Sequence, residues 1–318
     1  MQKVSTLQCT LGGELEFSGI GVHSAEPVSL TIEPAPADSG FQFSRVLEDG
    51  RIVGPTAVVF SNVTRTTLCT TIDLGESTSV AMVEHVLSAL SGLGIDNAHL
   101  VLRGAECPIL DGSANLYMQA IKTVGLKVQA STRKYIKILR AVTVRSNDAF
   151  AALEPYNGRR LDLEIDFDCQ VIGRQRMIFD WTPRRYVEDV SRARTFGFMR
   201  DAKILRQAGY ALGSSLENSI ALEDDRMLNN EPLRYEDEFV RHKLLDAIGD
   251  LALGGLPFYG QFRSYKGGHT LNSLVLKSLF ASDANYEVVS ANDLPLEFDS
   301  LDDIPDGFEV KRYLRSVG

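Results

Sequence analysis

The chain has 318 residues, of which 44% are hydrophobic and 24% are charged, an ordinary globular composition with ample material for a core. This length favours two domains over one. The net charge of −9 argues against a protein whose main partner is a nucleic acid, because phosphate contacts require a basic surface. A few local lysines or arginines could still hold a small anionic substrate.

Cysteine usage and apolar segments indicate the compartment. The four cysteines are widely separated and form no C-x-x-C pair, so neither a cysteine zinc site nor a dense disulfide framework is indicated. The first ten residues lack the pattern of a signal peptide. The apolar segment 244–260 is interrupted by Asp246, Asp250 and Pro257 and falls short of the ~18 residues of a membrane span. We expect a cytoplasmic protein without a transmembrane segment, and a monomer.

Hydrophobic periodicity predicts the elements in chain order. Alternation in the first third predicts short strands such as 28–32, and apolar residues at three- and four-residue intervals predict a helix over 83–93, capped by Gly94. The polar, aperiodic segment 125–133 predicts a boundary between a first domain, 1–127, and a second, 134–285. The remaining predictions are strands over 97–102, 135–144, 161–167 and 258–265, helices over 114–124, 187–192, 202–208, 236–253 and 269–281, and an acidic, irregular tail over 286–318.

A short internal echo supports two related halves. Residues 84–93 align with residues 242–251 at a constant offset close to half the chain, and in both places a helix is followed by a strand. A duplicated unit would place its two equivalent helices near a pseudo-twofold axis. That is a natural place for a shared site.

Two pairs of residues on these helices suggest a metal centre. His242 and Asp246 stand four residues apart on a helix, so they share one face and could present a nitrogen and an oxygen to one zinc ion. Asp250 lies one turn further along. Glu84 and His85 interrupt the other apolar helix, and could supply a third ligand and a base for water. Taken singly, each pair is more typical of a solvated helix surface.

His269 follows two glycines at the start of a predicted helix, which suits a residue presented into a cleft. An imidazole has an unperturbed pKa of roughly 6.5 and can act as a general acid for a leaving amine. A capping or surface histidine is the alternative.

These segments together resemble the UDP-3-O-acyl-N-acetylglucosamine deacetylase family of lipid A biosynthesis. The resembling segments occur in family order: SGIGVHS at 18–24, VEH at 83–85, GIDN at 94–97, LDGS at 110–113, ARTFGF at 193–198, DEFVRHK at 237–243 through Asp246 and Asp250, and Lys266 through HTLN at 269–272. The chain departs from the family at Ala25, usually Gly, which puts the local turn geometry in doubt, and at Ser273, often Asn.

The resemblance implies roles for particular residues. His85, His242 and Asp246 would hold one catalytic Zn²⁺, with Fe²⁺ as another possible ion. Glu84 would be the general base and His269, paired with Asp250, the general acid. Thr195 would stabilise the oxyanion, and the substrate contacts would come from Phe196, Lys243, Lys266 (toward the diphosphate) and Met199.

The resemblance also implies an α+β fold. Two similarly folded domains, each a pair of helices packed on a β-sheet, would hold the active site between them. The insert at about 198–215 would form a passage for the acyl chain. The expected reaction is zinc-dependent removal of the N-acetyl group from UDP-3-O-acyl-N-acetylglucosamine, the committed step of lipid A biosynthesis.

Three alternatives stay open at this point. One is a zinc amidase that acts on another acylated amino sugar. Another is a non-catalytic RNA-binding α+β protein, which the acidic balance and the absence of a basic, aromatic-interleaved strand disfavour. The third is a structural zinc protein, but such sites are normally closed by four protein ligands that include cysteine.

Overall fold

The computed structural model describes residues 6–295 and 310–311. Within these residues the chain forms six α-helices: α1 (Glu84–Gly92), α2 (Asn115–Val124), α3 (Pro183–Asp189), α4 (Met199–Gln207), α5 (Glu238–Leu251) and α6 (His269–Phe280). None of the helices in these residues combines the length and apolar composition that a membrane span requires.

The strands of the first half come before residue 133. They are β1 (Leu7–Leu11), β2 (Leu15–Ile20), β3 (Pro27–Pro34), β4 (Phe41–Val46), β5 (Ile52–Ala57), β6 (Val63–Arg65), β7 (Thr71–Gly75), β8 (Thr78–Val80), β9 (Ala98–Arg103) and β10 (Leu126–Thr132). The later strands are β11 (Lys134–Ile138), β12 (Val142–Ser146), β13 (Ala149–Glu154), β14 (Arg159–Asp166), β15 (Arg174–Asp180), β16 (Phe196–Phe198), β17 (Ile220–Glu223), β18 (Arg226–Met227), β19 (Phe258–Tyr265), β20 (Tyr286–Ser290) and β21 (Val310–Lys311).

The two halves repeat one topology. The first sheet has the order β2-β3-β9-β4-β5, and the larger sheet contains the equivalent order β12-β13-β19-β14-β15, extended by β11 and β20. In each half two antiparallel hairpins flank a central strand, which is antiparallel to one hairpin and parallel to the other. One helix precedes the central strand and another follows it. This confirms the α+β class and the two similar units that the sequence predicted.

The helices α1 and α5 pack directly against each other at the centre of the molecule. Eight of the nine residues of α1 are buried, including Glu84 and His85. In α5 the polar row His242, Asp246 and Asp250 is buried along with the apolar residues. Gly249 permits this close approach, because a Cβ atom at that position would lie 2.0 Å from the carbonyl oxygen of Glu84.

Several predicted boundaries differ from the observed ones. The predicted helix over 187–192 lies instead at Pro183–Asp189, because Pro183 favours the first helical turn and the hydroxyl of Thr182 caps it by accepting from the N–H of Arg185 at 3.2 Å. The predicted strand over 135–144 is two strands, β11 and β12.

The predicted irregular tail begins with a strand. Residues Tyr286–Ser290 form β20, which pairs antiparallel with β11 at the edge of the larger sheet. Val288 and Val289 favour extended backbone, and the acidic surroundings obscured that local signal. The rest of the tail lies outside the described residues except for 310–311, which pair parallel with β10.

Candidate active site

The side chains of His85, His242 and Asp246 converge where α1 meets α5. The Oδ1 atom of Asp246 lies 3.6 Å from Nε2 of His85 and 3.4 Å from Nε2 of His242. One ligand atom from each residue lies within 4.8 Å of the others, and all three residues are buried. The structure thus brings together the three residues that the sequence proposed as ligands. One comes from α1 and two come from α5.

This donor set fits a metal ion. Two imidazoles and one carboxylate form the ligand set of many catalytic zinc sites, which keep a fourth position open. Ligand atoms about 2.0–2.1 Å from a tetrahedral ion are separated by about 3.3 Å, close to the two distances that Asp246 makes. The three donor atoms are therefore arranged as a metal site requires.

Neighbouring groups orient the three side chains. Nδ1 of His242 donates to the carbonyl oxygen of Ala193 at 3.1 Å, which leaves Nε2 directed at Asp246. The Nζ of Lys243 donates to Oδ2 of Asp246 at 2.9 Å, so Oδ1 is the oxygen that faces both histidines. Each side chain therefore presents one defined atom to the centre.

The electrostatics keep these groups in the protonation states that a metal needs. Burial lowers the pKa of the His242 imidazole to about 3, so it is neutral at physiological pH. Burial opposes ionisation of Asp246, but His242 and Lys243 hold the pKa of that carboxyl well below its usual range. A neutral imidazole and an ionised carboxylate are the ligand forms that bind cations.

Two further groups face each other beside this cluster. Oε1 of Glu84 lies 3.8 Å from Nε2 of His269, and Oε2 of Glu84 accepts the backbone N–H of Thr70 at 3.1 Å. On its other side, Nδ1 of His269 lies 2.8 Å from Oδ2 of Asp250. The carboxylate of Asp250 therefore fixes the ring and directs Nε2 toward Glu84.

Burial and neighbouring charges change the pKa values of both members of this pair. Burial by itself lowers the pKa of His269, but the carboxylates of Asp250 and Glu84 outweigh it and raise that pKa to about 10. Burial raises the pKa of Glu84, while His269 and His85 act in the opposite direction. The site thus contains a protonated imidazole next to a carboxyl group of increased basicity.

Sequence reasoning missed two residues of this network. The hydroxyl of Thr70 donates to Oδ1 of Asp250 at 2.6 Å, and Nδ2 of Asn272 donates to Oδ2 of Asp250 at 2.9 Å. Asn272 lies on α6 one turn after His269, a spacing that could have indicated it. Thr70 comes from the loop before β7 and carries no local signal in the sequence.

Thr195 and Phe196 lie on the segment that passes His242. The N–H of Thr195 donates to the carbonyl of Gly112 at 2.8 Å, which fixes the backbone there, and its side chain is half-buried. The ring of Phe196 lies edge-on to the His242 ring, with centroids 6.2 Å apart, and 5.4 Å from the ammonium of Lys243. Phe196 therefore lies beside one candidate ligand, and Thr195 precedes it in the chain.

The two remaining predicted substrate contacts are Lys266 and Met199. Within residues 6–295, the ion pairs of Lys266 are with Asp148 at 2.9 Å and Asp166 at 3.4 Å. Met199 begins α4 and is 39% exposed. Their predicted contacts with substrate stay predictions.

This architecture and this cluster fit the class of metal-dependent hydrolases. A family model described as LpxC, UDP-3-O-acyl N-acetylglycosamine deacetylase, matches residues 8–281. Proteins of Brucella ovis and Brucella canis, each named UDP-3-O-acyl-N-acetylglucosamine deacetylase, are 43% identical to this chain over 289 residues, which is 91% of this chain and 100% of each relative. A protein of the same name from Brucella melitensis is 42% identical over the same length.

The chain therefore belongs to the LpxC family of deacetylases. This confirms the family and the class of enzyme that the motifs predicted.

Proposed function

We propose that this protein hydrolyses the N-acetyl group of UDP-3-O-acyl-N-acetylglucosamine, releases acetate and leaves a free amine on the sugar, as the committed step of lipid A biosynthesis. The observation that carries the proposal is the convergence of His85, His242 and Asp246 beside the Glu84–His269 pair. The names of its relatives and the match of the family model support the substrate. We propose that it acts in the cytoplasm as a monomer.

His85, His242 and Asp246 are the proposed ligands of one zinc ion. When bound, zinc makes a water molecule more acidic, toward a pKa of about 7, and polarises a carbonyl oxygen as a Lewis acid. The buried position of all three ligands and the 3.4 Å and 3.6 Å separations of their donor atoms support this assignment.

Glu84 is the proposed general base. Its Oε2 is occupied by the N–H of Thr70, so Oε1 is the atom available to accept a proton from the attacking water. The helix α1 carries Glu84 immediately before His85, which fixes the base next to one proposed ligand. Burial of the carboxylate removes competing bulk water from this oxygen.

His269 is the proposed general acid. Its Nδ1 is held by Asp250, so the proton on Nε2 is the one available to the departing glucosamine nitrogen. Asp250 acts as a positioning residue, since Thr70 and Asn272 fix its two oxygens in turn. Such a carboxylate both orients an imidazole and stabilises its charged form.

Thr195, Phe196 and Lys243 are proposed to contact the substrate. The hydroxyl of Thr195 would donate to the oxyanion of the tetrahedral state, an effect on the order of 3 kcal/mol for a well-placed donor. Phe196 and Lys243 flank His242 and would hold the sugar over the site. Lys266 is proposed to meet the diphosphate, which would replace Asp148 as its partner.

The insert at about 198–215, with Met199 at its start, is proposed to guide the acyl chain. It contains α4 and exposes apolar side chains, of which Ile204 is 66% exposed and Leu212 is 46% exposed. Exposed apolar side chains concentrated in one segment are typical of a surface that binds an apolar ligand. We propose that the chain forms two domains, 1–127 and 134–285, and that the insert belongs to the second of them.

One experiment tests the function. Metal content and acetate release from the nucleotide-linked acyl sugar are measured on the full chain before chelation, after chelation and after zinc is restored. We expect acetate release to fall with the metal and to return with zinc. Release that persists in metal-free protein would contradict the proposal, and faster release from the free acylated sugar would favour an amidase with another substrate.

A further inference from the structure

A cavity of about 300 Å³ beside the two central helices is lined by none of the residues proposed for the active site. Ser91, near the end of α1, and Leu251, at the end of α5, both line it. Ser91 follows His85 by six residues, which is about 9 Å along a helix axis. We call this cavity the Trp181 cavity, after an aromatic residue in its wall. Its volume falls in the range of small-molecule sites.

The wall of the Trp181 cavity is mainly apolar and well buried. Val58 is 2% exposed, and the rings of Tyr135, Trp181 and Phe258 are buried as well. The indole N–H of Trp181 donates to the carbonyl oxygen of Gly92 at 3.4 Å, which fixes the ring against the end of α1. An apolar wall with a few polar groups is the usual composition of a ligand site.

Five charged residues line the cavity, and four of them form two ion pairs. Arg133 binds Asp96 at 2.8 Å, and Lys134 lies 3.3 Å from Asp38 at the exposed rim. The fifth charged residue in the wall is Arg159. Among the lining residues the two ion pairs cancel, so one positive charge is left.

Arg159 is buried without a counter-ion among the described residues. It is 9% exposed, and its Nε atom is buried with no hydrogen-bond partner in the part of the chain that the structure describes. The guanidinium lies 4.1 Å from the centroid of the Trp181 ring, which stabilises the cation but satisfies none of its N–H donors. The next residue, Arg160, points to the other face of β14 and is bound by Asp180.

We propose that the Trp181 cavity binds a small monocarboxylate with an apolar body, with Arg159 as the residue that holds the carboxylate. A guanidinium presents its N–H groups as a planar fork that matches the two oxygens of a carboxylate. The ligand would supply the missing partner of Arg159 and place its apolar part against Val58 and Phe258. Nothing in the proposed deacetylation uses this cavity.

The charge balance favours a carboxylate over a phosphate monoester. A phosphate monoester carries about −1.5 to −2 charges at pH 7, and Arg159 could neutralise one of them. The remaining charge would lie in an apolar wall, where an unpaired charge is strongly unfavourable. A monocarboxylate leaves no such excess.

The chain provides its own reporter for this site. Trp181 is the single tryptophan of the sequence, and it lies in the cavity wall. Its fluorescence is recorded on the zinc-loaded full chain during titration with octanoate and, separately, with octanamide. We expect a saturable change with octanoate at a dissociation constant on the order of 1 mM or tighter. Octanamide, which lacks the charge, should bind at least ~10-fold more weakly.

A matched pair of variants assigns the effect to Arg159. Arg159→Gln should weaken octanoate binding at least ~10-fold, whereas Arg160→Gln should bind it within about two-fold of the unmodified protein. The absence of a saturable change in the unmodified protein would overturn the proposal, and so would equal affinity for octanoate and octanamide. If Arg159→Gln does not fold, the comparison of the two ligands on the unmodified protein still decides.

Discussion

The carboxylate of Asp250 is the most constrained group near the candidate site. Thr70, Asn272 and His269 all bind it, and it is 1% exposed. Only the contact with His269 reaches a group proposed to handle a proton. The other two contacts come from separate elements, so the orientation of His269 depends on the whole assembly.

Replacing Asp250 with Asn tests this positioning role. An amide keeps the shape but offers one acceptor oxygen in place of two, and it removes the charge that stabilises protonated His269. We expect kcat to fall by roughly 10²–10⁴ with little change in KM or in zinc content. Asp49→Asn, in an exposed pair with Arg51, serves as the control and should leave kcat unchanged. A kcat for Asp250→Asn within about two-fold of the unmodified value would contradict the role.

Ala25 adopts a left-handed backbone conformation, with φ at 61°. The family usually has Gly at position 25, so the sequence left the geometry of this turn open. The structure keeps a turn whose backbone conformation suits Gly. Its N–H donates to the carbonyl of Gly21 at 3.0 Å, which closes the turn. An alanine at positive φ carries a steric cost of about 1 kcal/mol.

Ala25→Gly should therefore stabilise the protein. We expect the free energy of unfolding to rise by about 0.5–1 kcal/mol, offset in part by the extra freedom of glycine in the unfolded chain. Ala57→Gly, in the exposed part of β5, should be destabilising by a similar amount. Denaturant unfolding of both variants is the measurement, and a loss of stability in Ala25→Gly would show that the left-handed turn is not strained.

At the scale of elements, the sequence predicts the two central helices but not the burial of the polar face of α5. The periodicity of apolar residues located both, and the echo between 84–93 and 242–251 indicated that they are equivalent. The polar row on α5 lies opposite its apolar stripe, a pattern that usually faces solvent. It is buried because α1 of the other unit covers it, a long-range contact that no local pattern records.

The packing of α1 on α5 depends on Gly249. Gly249→Ala would place a methyl group 2.0 Å from the carbonyl oxygen of Glu84, so the helices must separate. We expect a loss of at least about 1–3 kcal/mol in stability, together with reduced acetate release because Glu84 moves relative to Asp246. Gly197→Ala is the control for stability, since a Cβ at Gly197 meets open space. Equal unfolding midpoints for the two variants would mean that the helices are not in close backbone contact.

At the scale of the whole molecule, comparing the two halves of the duplicated topology shows which segments are additions to the common fold. In both halves the extra segments lie between the second hairpin and the first helix: β6 to β8 in one half, and α3 to β18 in the other. The second of these extra segments contains Thr195 and the proposed acyl passage. The repeat supplies the two helices, and the insertions supply the surroundings of the site.

The main residues of the site could be predicted from the sequence, but the contacts that surround them could not. His85, His242, Asp246 and His269 could be found because histidine is rare in this chain and each occurs in a recognisable segment. Thr70 could not be found, since its role arises only when the loop before β7 meets α5. The strand β20 was missed for a related reason, because pairing with β11 across 150 residues decides it.

One buried ion pair links the segment between the halves to the first unit. Arg133 binds Asp96 through Nε and Nη2 and also donates to the carbonyl of Gly94 at 2.6 Å. Asp96→Asn leaves this buried guanidinium without its counter-ion, and we expect a loss of about 3–5 kcal/mol in stability. Asp38→Asn, which removes the exposed pair with Lys134, should cost at most about 1 kcal/mol. Similar losses for both variants in denaturant unfolding would contradict the structural role of the buried pair.

The central claim is that His85, His242 and Asp246 hold the metal while Glu84 handles the proton. The most direct test measures zinc content and acetate release in parallel for Glu84→Gln and Asp246→Ala. We expect Glu84→Gln to bind zinc like the unmodified protein and to release acetate roughly 10²–10⁴-fold more slowly, and Asp246→Ala to lose both zinc and activity. Near-normal acetate release in Glu84→Gln, or full zinc occupancy in Asp246→Ala, would contradict this division of roles.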